Sequence, residues 1–349
     1  MATSSSTLLE ADKHVDALAV GRDAIALATS SLTGDVWDGR LMLLRAPEGA
    51  PGGLEVVAEL TTPAGNSDVA WVQADVLASG DDHGDVTLWQ RSEKALSNLV
   101  TFREHAGPVT AVAPMATLPR LASTSLDGTA KVWDAVVSGG PALTLEHLPV
   151  HSWCDVNVHA AVWFQPSSSE MLATGASDGV VRLWDARQPK PAATRFAAHS
   201  APFLSLSTGA ADSHLLAGSE CGSLHLLDVR KLDAPVTTTA ASSAAITSLR
   251  AAPPPSNDSG TPLIAAGSED GSIAIVDPRD LHRVTTIAAH TGNVPALAWL
   301  GVGPDFGLSA SAGTAGSSIL VRDRGVEWAP LTPYLVGVVG AVILMLMPV

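Results

Sequence analysis

The pentapeptide Gly175-Ala-Ser177-Asp-Gly179 has the spacing of a nucleophile elbow, in which a serine on a sharp strand-to-helix turn attacks an acyl carbon. Its context contradicts that chemistry, because the segment leads from one strand-like stretch into another. The sibling segment Gly267-Ser-Glu269-Asp-Gly271 also carries a glutamate where the nucleophile would stand. Asp-Gly readily forms a two-residue hairpin turn. We therefore predict a hairpin here and no catalytic serine.

A second set of residues has the composition of a catalytic triad with a tryptophan added. It comprises His105, Ser123, Asp127 and Trp133. The rest of the chain keeps fragments of the same set, such as His151, Asp178 and Trp184. A set that recurs and decays along the chain is typical of a structural device. We predict that these four side chains form a buried hydrogen-bond network without catalysis.

Acidic residues crowd one turn of the sequence, where a metal site is the chemistry to consider. The turn holds Asp81, Asp82, His83 and Asp85, but their spacing misses the Asp-x-Asp-x-Asp-Gly calcium loop. Two interpretations stay open: a solvated hairpin, or an acidic lip for the arginine side chains of a partner. The sequence has no P-loop, no dinucleotide fingerprint and no His-Glu-x-x-His. We expect no metal, no cofactor and no enzyme activity.

Composition limits the fold class and the partners. The chain has 349 residues, of which 46% are hydrophobic and 16% charged, with 30 Gly and 23 Pro. Such a mix favours many short buried strands joined by tight turns and excludes a disordered chain. The formal net charge of −15 makes a basic surface for nucleic acid improbable. It favours basic proteins as partners.

One pattern recurs seven times: an apolar strand, small residues, a turn, and an alternating strand that ends in Trp-Asp or a degraded form of it. Complete copies include LASTSLDGTAKVWD (121 to 134) and LATGASDGVVRLWD (172 to 185). Equivalent positions lie 43 to 51 residues apart, at Leu44, Trp89, Trp133, Trp184, Leu227, Val276 and Arg322. This period and ending resemble the WD40 repeat, with four strands per unit.

Seven such units predict an all-β, seven-bladed WD40 β-propeller over residues 11 to 328, because sheets that pack face to face in a closed ring leave few free edges. The first blade has four strand candidates but the last has three. We predict that the N-terminal segment, residues 1 to 10, latches the last blade. Ser6 to Glu10 would pair with residues 318 to 323, and Val326 to Leu331 is the competing candidate.

Trp37 differs from the other repeat tryptophans. It lies in SSLTGDVWDGR (30 to 40), a stretch about eight residues longer than a tight hairpin needs, and out of register with the other Trp positions. Two interpretations follow. The side chain either packs against its own blade or serves as an aromatic anchor in a partner's pocket, where one tryptophan contributes a few kcal/mol (about 2 to 4).

Three stretches resemble one family in particular, the WD-repeat subunit of the methylosome, also called the methylosome protein 50 family. They are ATSSLTGDVWDGRLMLLRAP (28 to 47), AGNSDVAWVQADVLASGDDHGDVTLW (64 to 89) and MLATGASDGVVRLWDARQPKPAAT (171 to 194). The resemblance extends over most of residues 15 to 325. The loop around Trp37 and the WDARQPKP run are far less common than Trp-Asp motifs.

This resemblance implies a scaffold for protein–protein interaction without catalysis of its own. A member of this family docks on the type II protein arginine methyltransferase and helps present Arg-rich substrates, such as histones and Sm proteins, within a hetero-oligomer. It also implies that Trp37 inserts into the enzyme, with Leu32, Thr33 and Asp38 as neighbours. The acidic charge agrees with that task.

A different binding function competes with this one. Trp184-Asp185-Ala-Arg187 matches the Trp-Asp-x-Arg signature of substrate receptors of cullin-type ubiquitin ligases, and Leu227-Asp-Val-Arg230 echoes it. The motif also occurs in propellers with other partners. It therefore discriminates poorly between the two functions.

The C-terminal tail, residues 329 to 349, contains no charged residue. Its last 16 residues would span about 24 Å as a helix, short of the roughly 30 Å of a bilayer core. A membrane tail anchor, a cover for the propeller edge and an erroneous end of the gene model all stay open. We expect no secretory leader, because the N-terminus lacks a basic segment followed by an apolar run, and no disulfide framework, because Cys154 and Cys221 each lack a second Cys nearby in the sequence. We expect a cytoplasmic and nuclear protein, at a membrane only if the tail anchors it.

Overall fold

The part of the chain that the computed structural model describes contains 29 β-strands and no helix. The described residues are 5–7, 14–33, 36–45, 55–135, 139–148, 155–164, 170–188, 191–197, 201–209, 211, 213–252, 263–288, 292–300, 307–311, 319–322 and 344–346.

Of the described strands, 27 form seven antiparallel sheets, the blades, each of which follows chain order from its innermost to its outermost strand, and the other two form a separate two-stranded sheet. The first strand, β1 (Ser5–Thr7), precedes them. Blade one consists of β2 to β5, at His14–Val20, Ile25–Thr33, Val36–Arg45 and Glu55–Thr62. Blade two consists of β6 to β9, at Asn66–Gln73, Val76–Asp81, Asp85–Arg91 and Leu96–Arg103. Blade three consists of β10 to β13, at Val109–Pro114, Arg120–Ser125, Thr129–Asp134 and Leu143–Glu146.

The remaining blades repeat the same order. Blade four consists of β14 to β17, at Val158–Phe164, Met171–Ala176, Val180–Asp185 and Pro191–Ala197. Blade five consists of β18 to β21, at Phe203–Thr208, His214–Ser219, Ser223–Asp228 and Thr237–Ala240. Blade six consists of β22 to β25, at Ile246–Ala251, Ile264–Ser268, Ser272–Val276 and Arg283–Ala288. Blade seven has three described strands, β26 to β28, at Ala296–Leu300, Gly307–Ser311 and Ile319–Arg322.

The blades close into a ring. Innermost strands of consecutive blades pack side by side from β2 through β26, and β26 also packs against β2. The predicted all-β, seven-bladed propeller is therefore confirmed. Strand alternation explains the packing, because every second side chain of a sheet faces its neighbour. Leu41 and Leu43 of blade one pack with Val69 and Leu77 of blade two, all at most 2% exposed. Burial of each such side chain stabilises the fold by about 2 kcal/mol.

A glycine with positive φ ends each turn between the second and third strands of blades two to six. The φ angles are 88°, 82°, 69°, 79° and 84° at Gly84, Gly128, Gly179, Gly222 and Gly271. A side chain there would be strained, which explains the recurring Gly. The hairpin predicted at residues 175 to 179 is confirmed. We call the side of the ring that carries these turns (81–84, 125–128, 176–179, 219–222 and 268–271) the hairpin face.

A β-bulge lies near the start of six innermost strands and re-aims one side chain in each toward the ring axis. In three blades the bulge residue carries a hydroxyl that donates to a carbonyl oxygen of the next blade. The donor and acceptor pairs are Ser67 to Val109 at 2.5 Å, Thr110 to Val158 at 2.6 Å and Thr247 to Val294 at 2.8 Å. These hydrogen bonds connect successive blades at the axis.

The ends of the chain pair differently from the prediction. β1 forms an antiparallel pair with β29 (Leu344–Leu346) instead of with β28, so the predicted pairing of Ser6 to Glu10 with residues 318 to 323 is wrong. The backbone N–H and C=O groups of a strand can pair with any extended segment. Comparison of the repeats could not reveal the strand in the tail, because the tail is not part of a repeat. β29 lies against β28, so both chain ends still meet at blade seven. The competing segment 326 to 331 lies outside the described residues.

The rest of the 329 to 349 tail also lies outside the described residues, and its role stays a prediction, as do the boundaries at residues 10 and 328. Within the described part of the chain, no helix has the length and apolar character needed to cross a membrane.

Candidate functional site

Trp37 lies on a two-stranded ribbon that extends blade one beyond its sheet. β3 and β4 pair as far as Thr33 opposite Val36, and Leu32 is directly opposite Trp37. The outer neighbour β5 pairs with β4 only from Gly39 onward. The stretch expected as a long loop is thus a hairpin extension, because strand pairing continues through its hydroxyl-bearing and apolar residues.

The indole of Trp37 is 45% exposed, although its N–H group has a hydrogen-bond partner. Its Nε1–H donates to the carboxylate of Asp82 in the turn of blade two. Gly65 lies beneath this pair, since a Cβ at that residue would stand 2.6 Å from the indole nitrogen and 2.5 Å from Asp82 Oδ2. The backbone N–H of Asp82 donates to the Gly65 carbonyl at 3.0 Å. Blade two therefore holds the orientation of a tryptophan from blade one.

The other residues expected beside Trp37 have different environments. Asp38 accepts a hydrogen bond from Ser31 Oγ at 3.1 Å, across the ribbon. Leu32 and Thr33 lie on the ribbon by their backbone register, and their side chains fall outside the described residues. The structure thus places all four residues on one hairpin extension.

Asp16, the bulge residue of β2, lies close enough to Asp82 for their charges to interact. Burial raises the pKa of Asp16 to about 7, and the Asp82 charge adds to this, while hydrogen bonds from Ser30 oppose it. Its Oδ2 atom has no hydrogen-bond partner among the described residues. Asp16 occupies the position where Ser67 and Thr110 carry hydroxyl donors, so its neutral form matches the site better than its anion.

The acidic turn divides into separate contacts. Asp81 accepts the backbone N–H groups of His83 and Asp85, and Asp85 pairs with Arg103 at 3.1 Å. Asp82 binds Trp37. No group of metal-ligating side chains with metal-binding geometry occurs in the described part of the chain. Sequence reasoning missed the contact of Asp82 with Trp37, since no spacing rule connects residues in different blades.

The four residues of the predicted network in blade three come together. His105 bridges Asp127 at 3.0 Å through Nδ1 and Ser123 at 2.7 Å through Nε2, and Trp133 Nε1 donates to Ser123 Oγ at 2.8 Å. Burial tends to raise the pKa of Asp127, but hydrogen bonds from His105, Thr129 and the backbone hold it well below its usual range. All four are buried or nearly so, and Ser123 is 0% exposed. Such a closed set of hydrogen bonds fixes the conformation of the blade.

Blade four builds its network from a different histidine than the sequence indicated. His147, four residues before His151, contacts Thr174 Oγ1 at 2.7 Å, and Trp184 donates to the same hydroxyl at 2.8 Å. The carboxylate of Asp178 pairs with Arg182, which donates hydrogen bonds to both of its oxygens. His147 precedes its hydroxyl partner by 27 residues, whereas His105 precedes Ser123 by 18, so the spacing in blade three did not point to His147. His151 lies outside the described residues.

The Trp-Asp-x-Arg motif has a local structural use. Trp184 is 1% exposed, so it is a core residue. Arg187 donates hydrogen bonds to Asp185 from Nε at 2.8 Å and from Nη2 at 2.7 Å, and these bonds lower the pKa of Asp185 to about 2. The same pairing occurs between Arg279 and Asp277 in blade six. The pair is thus a recurring turn feature, and its use as a ligase contact stays a prediction.

The opposite mouth of the ring carries three tryptophans that the repeat pattern did not single out. Each donates its indole N–H to a backbone carbonyl of the preceding blade: Trp71 to Ala19 at 3.2 Å, Trp163 to Ala113 at 2.8 Å and Trp299 to Arg250 at 3.0 Å. They line a funnel of about 550 Å³, beyond which lies a polar central cavity of about 140 Å³. The common spacing of these tryptophans within the innermost strands was the available signal.

Comparisons with known proteins agree with this architecture. The model of the WD domain, G-beta repeat, matches residues 96–134 and 145–185. A chain of the crystal structure of the mitotic checkpoint complex superposes with a TM-score of 0.70 over 89% of this chain and 90% of that one, at 21% identity, which supports the fold alone. Telomerase protein component 1 of Rattus norvegicus is 29% identical over 69% of this chain, a match that covers 8% of that larger protein.

A more specific relative covers nearly the whole ring. Methylosome protein WDR77 of Xenopus laevis is 31% identical over 292 residues, which is 82% of this chain and 83% of that protein. The aligned region is long enough to include most blades. Its sequence identity of 31% also exceeds the 21% identity to the mitotic checkpoint structure, which is similar in fold alone. The chain therefore belongs to the family of methylosome WD-repeat proteins.

Proposed function

We propose that this protein is the adaptor subunit of a protein arginine methyltransferase complex, which docks on the type II enzyme and presents Arg-rich substrates such as histones and Sm proteins. The observation that carries the proposal is the exposed, oriented indole of Trp37 on the ribbon of blade one. Membership of the methylosome WD-repeat family supports the same partner.

The geometry of Trp37 suits an anchor. A tryptophan exposes a large apolar area at the cost of two torsion angles, so little conformational entropy is lost on binding. Here the bond to Asp82 fixes the ring before a partner arrives, which lowers that cost further. Because the indole N–H is already paired, the exposed ring offers a partner its apolar faces and edge.

The charge of the chain supports basic substrates. With 35 acidic and 20 basic residues, the protein attracts Arg-rich segments and speeds their encounter. The His105 and Asp127 pair, which resembles catalytic machinery by type, is enclosed within the hydrogen bonds of blade three. We assign the chemistry to the enzyme subunit, and we propose the cytoplasm and nucleus as the sites of the complex.

Calorimetric titration of the purified chain with the type II methyltransferase of the same organism tests the docking mode. Trp37→Ala is expected to weaken binding about 30-fold or more, which corresponds to the roughly 2 kcal/mol of an interface hot spot. Val284→Ala is the matched control, because Val284 is 53% exposed on the outermost strand of blade six. Equal affinities of Trp37→Ala and the unsubstituted chain would refute the anchor.

A further inference from the structure

Two other large apolar side chains are exposed on the hairpin face. Leu126 is 39% exposed in the turn of blade three, and Leu148 is 73% exposed just after β13, where the chain leads toward blade four. Most of the other exposed large apolar residues described lie on or beside outermost strands, at Val56, Leu99, Val236 and Val284. The hairpin face thus carries apolar surface of its own.

A chain of backbone contacts connects this surface with Trp37. Asp82, which binds the indole, belongs to the turn that ends at Gly84, and a Cβ on Gly84 would stand 2.8 Å from the Gly107 carbonyl oxygen. Gly107 in turn lies against the backbone of residues 126 and 127. The next turn ends at Gly128, whose carbonyl accepts the N–H of His147 at 3.0 Å. Leu148 follows directly. We call Trp37, Leu126 and Leu148 the apolar arc.

The turns themselves do not require these leucines. At the position equivalent to Leu126, blades two, four, five and six carry polar residues: Asp82, Ser177, Glu220 and Glu269. The backbone beneath Leu148 is fixed, since its carbonyl accepts Arg182 Nη2 at 3.1 Å. Both side chains are therefore presented on an ordered backbone, which lowers the entropy lost when a partner covers them.

Exposed acidic residues border the arc. Glu104 directly follows β9 and Glu146 ends β13, both next to these turns, and both are exposed. An apolar centre with a charged rim is the usual anatomy of a protein interface. Charge complementarity selects a partner patch that is apolar at its centre and carries Lys or Arg at its edge.

We propose that the apolar arc is one continuous docking surface, in which Leu126 and Leu148 form a second contact with the same methyltransferase that receives Trp37. The inference rests on the proposed function and extends it from one blade to the first three. The enzyme would cover Trp37 and the two leucines together, with basic side chains facing Glu104 and Glu146.

Calorimetry with the purified enzyme tests the arc. The double variant Leu126→Ser, Leu148→Ser is expected to raise Kd tenfold or more, whereas Leu99→Ser, a leucine 52% exposed on β9, changes it less than twofold. Thermal unfolding of each variant checks that the fold is intact. The melting temperature is expected to stay unchanged, because these exposed side chains do not contribute to the core. Glu104→Lys with Glu146→Lys is expected to raise Kd severalfold at low salt and less at high salt.

Three outcomes overturn the inference. If the double leucine variant binds as tightly as the unsubstituted chain while Trp37→Ala does not, the arc fails and the anchor stands. If the unsubstituted chain does not bind the enzyme at all, the proposed function fails and the arc with it. If sedimentation shows that the free chain dimerises and the leucine variant abolishes the dimer, the arc is a contact between copies of this chain.

Discussion

At the scale of single residues, two neighbours control the exposed indole of Trp37, one in the turn of blade two and one just before that blade begins. Asp82 accepts its N–H, and Gly65 leaves the space in which this contact forms. Asp16 lies near the same carboxylate, and the two charges interact unfavourably when both groups are ionised. The orientation of the proposed anchor is therefore a property of two blades, and it can be altered without touching the tryptophan.

Asp82→Ala is expected to weaken methyltransferase binding about five- to tenfold, because loss of one hydrogen bond of roughly 1 kcal/mol frees the indole. Asp85→Ala is the matched control, since it removes the same charge just after the same turn, where Asp85 pairs with Arg103 instead of Trp37. Calorimetry of both variants measures the effect.

A double-mutant cycle isolates the contact. Phe at position 37 keeps an aromatic ring but has no N–H to donate. In the Trp37→Phe background, Asp82→Ala is therefore expected to cost nothing further. An undiminished effect of Asp82→Ala in that background would mean that the carboxylate acts on the enzyme directly.

At the scale of elements, blades three and four use the same hydroxyl position in two networks. Ser123 and Thr174 each accept a tryptophan N–H and contact a histidine. In blade three the histidine also has a carboxylate partner. In blade four Asp178 pairs with Arg182 instead, and His147 lies near the positive charge of that arginine.

The stability of blade four is expected to fall in acid. Burial, with the nearby Arg182 charge, lowers the pKa of His147 from 6.5 to about 4, so the unfolded chain binds more protons between these values. The free energy of unfolding therefore drops as pH falls from 6.5 to 4, by up to about 3 kcal/mol. His147→Asn should be less stable at pH 7, yet approach the unsubstituted chain by pH 4.5 in urea unfolding.

Asp16 acts in the opposite sense, since its raised pKa makes the folded state bind more protons between about pH 4 and 7. The difference between variant and unsubstituted chain is therefore the quantity to follow. His83→Asn, an exposed change in the turn of blade two, controls for a generic histidine effect. A constant difference across this pH range for His147→Asn would contradict the assignment.

Sequence alone indicated the elements better than their contacts. The period of the Trp-Asp copies predicted seven blades, and Asp-Gly predicted the turn at residues 175 to 179, because both are local patterns. The set of His105, Ser123, Asp127 and Trp133 was also readable, since it lies within one repeat. Contacts between blades, such as Asp82 with Trp37, depend on the placement of whole sheets, which no local spacing encodes.

At the scale of the whole molecule, ring closure rests on two kinds of contact. The innermost strands β26 and β2 pack together, as neighbouring blades do elsewhere. Outside that seam, β1 pairs with β29, and β29 lies against β28. The N-terminal strand thus supports the last blade through an intermediate strand supplied by the tail.

Deletion of residues 1 to 10 is expected to lower the melting temperature by about 2 to 4 °C, since it removes roughly two or three backbone hydrogen bonds, at about 1 kcal/mol each, from a chain of this size. The loss also leaves the edge of β29 unpaired, which favours aggregation. Deletion of residues 1 to 4 keeps β1 and serves as the control in scanning calorimetry. Methyltransferase binding should survive both deletions, because the ribbon of Trp37 pairs within blade one. An unchanged melting temperature after removal of β1 would show that the β26 and β2 seam closes the ring by itself.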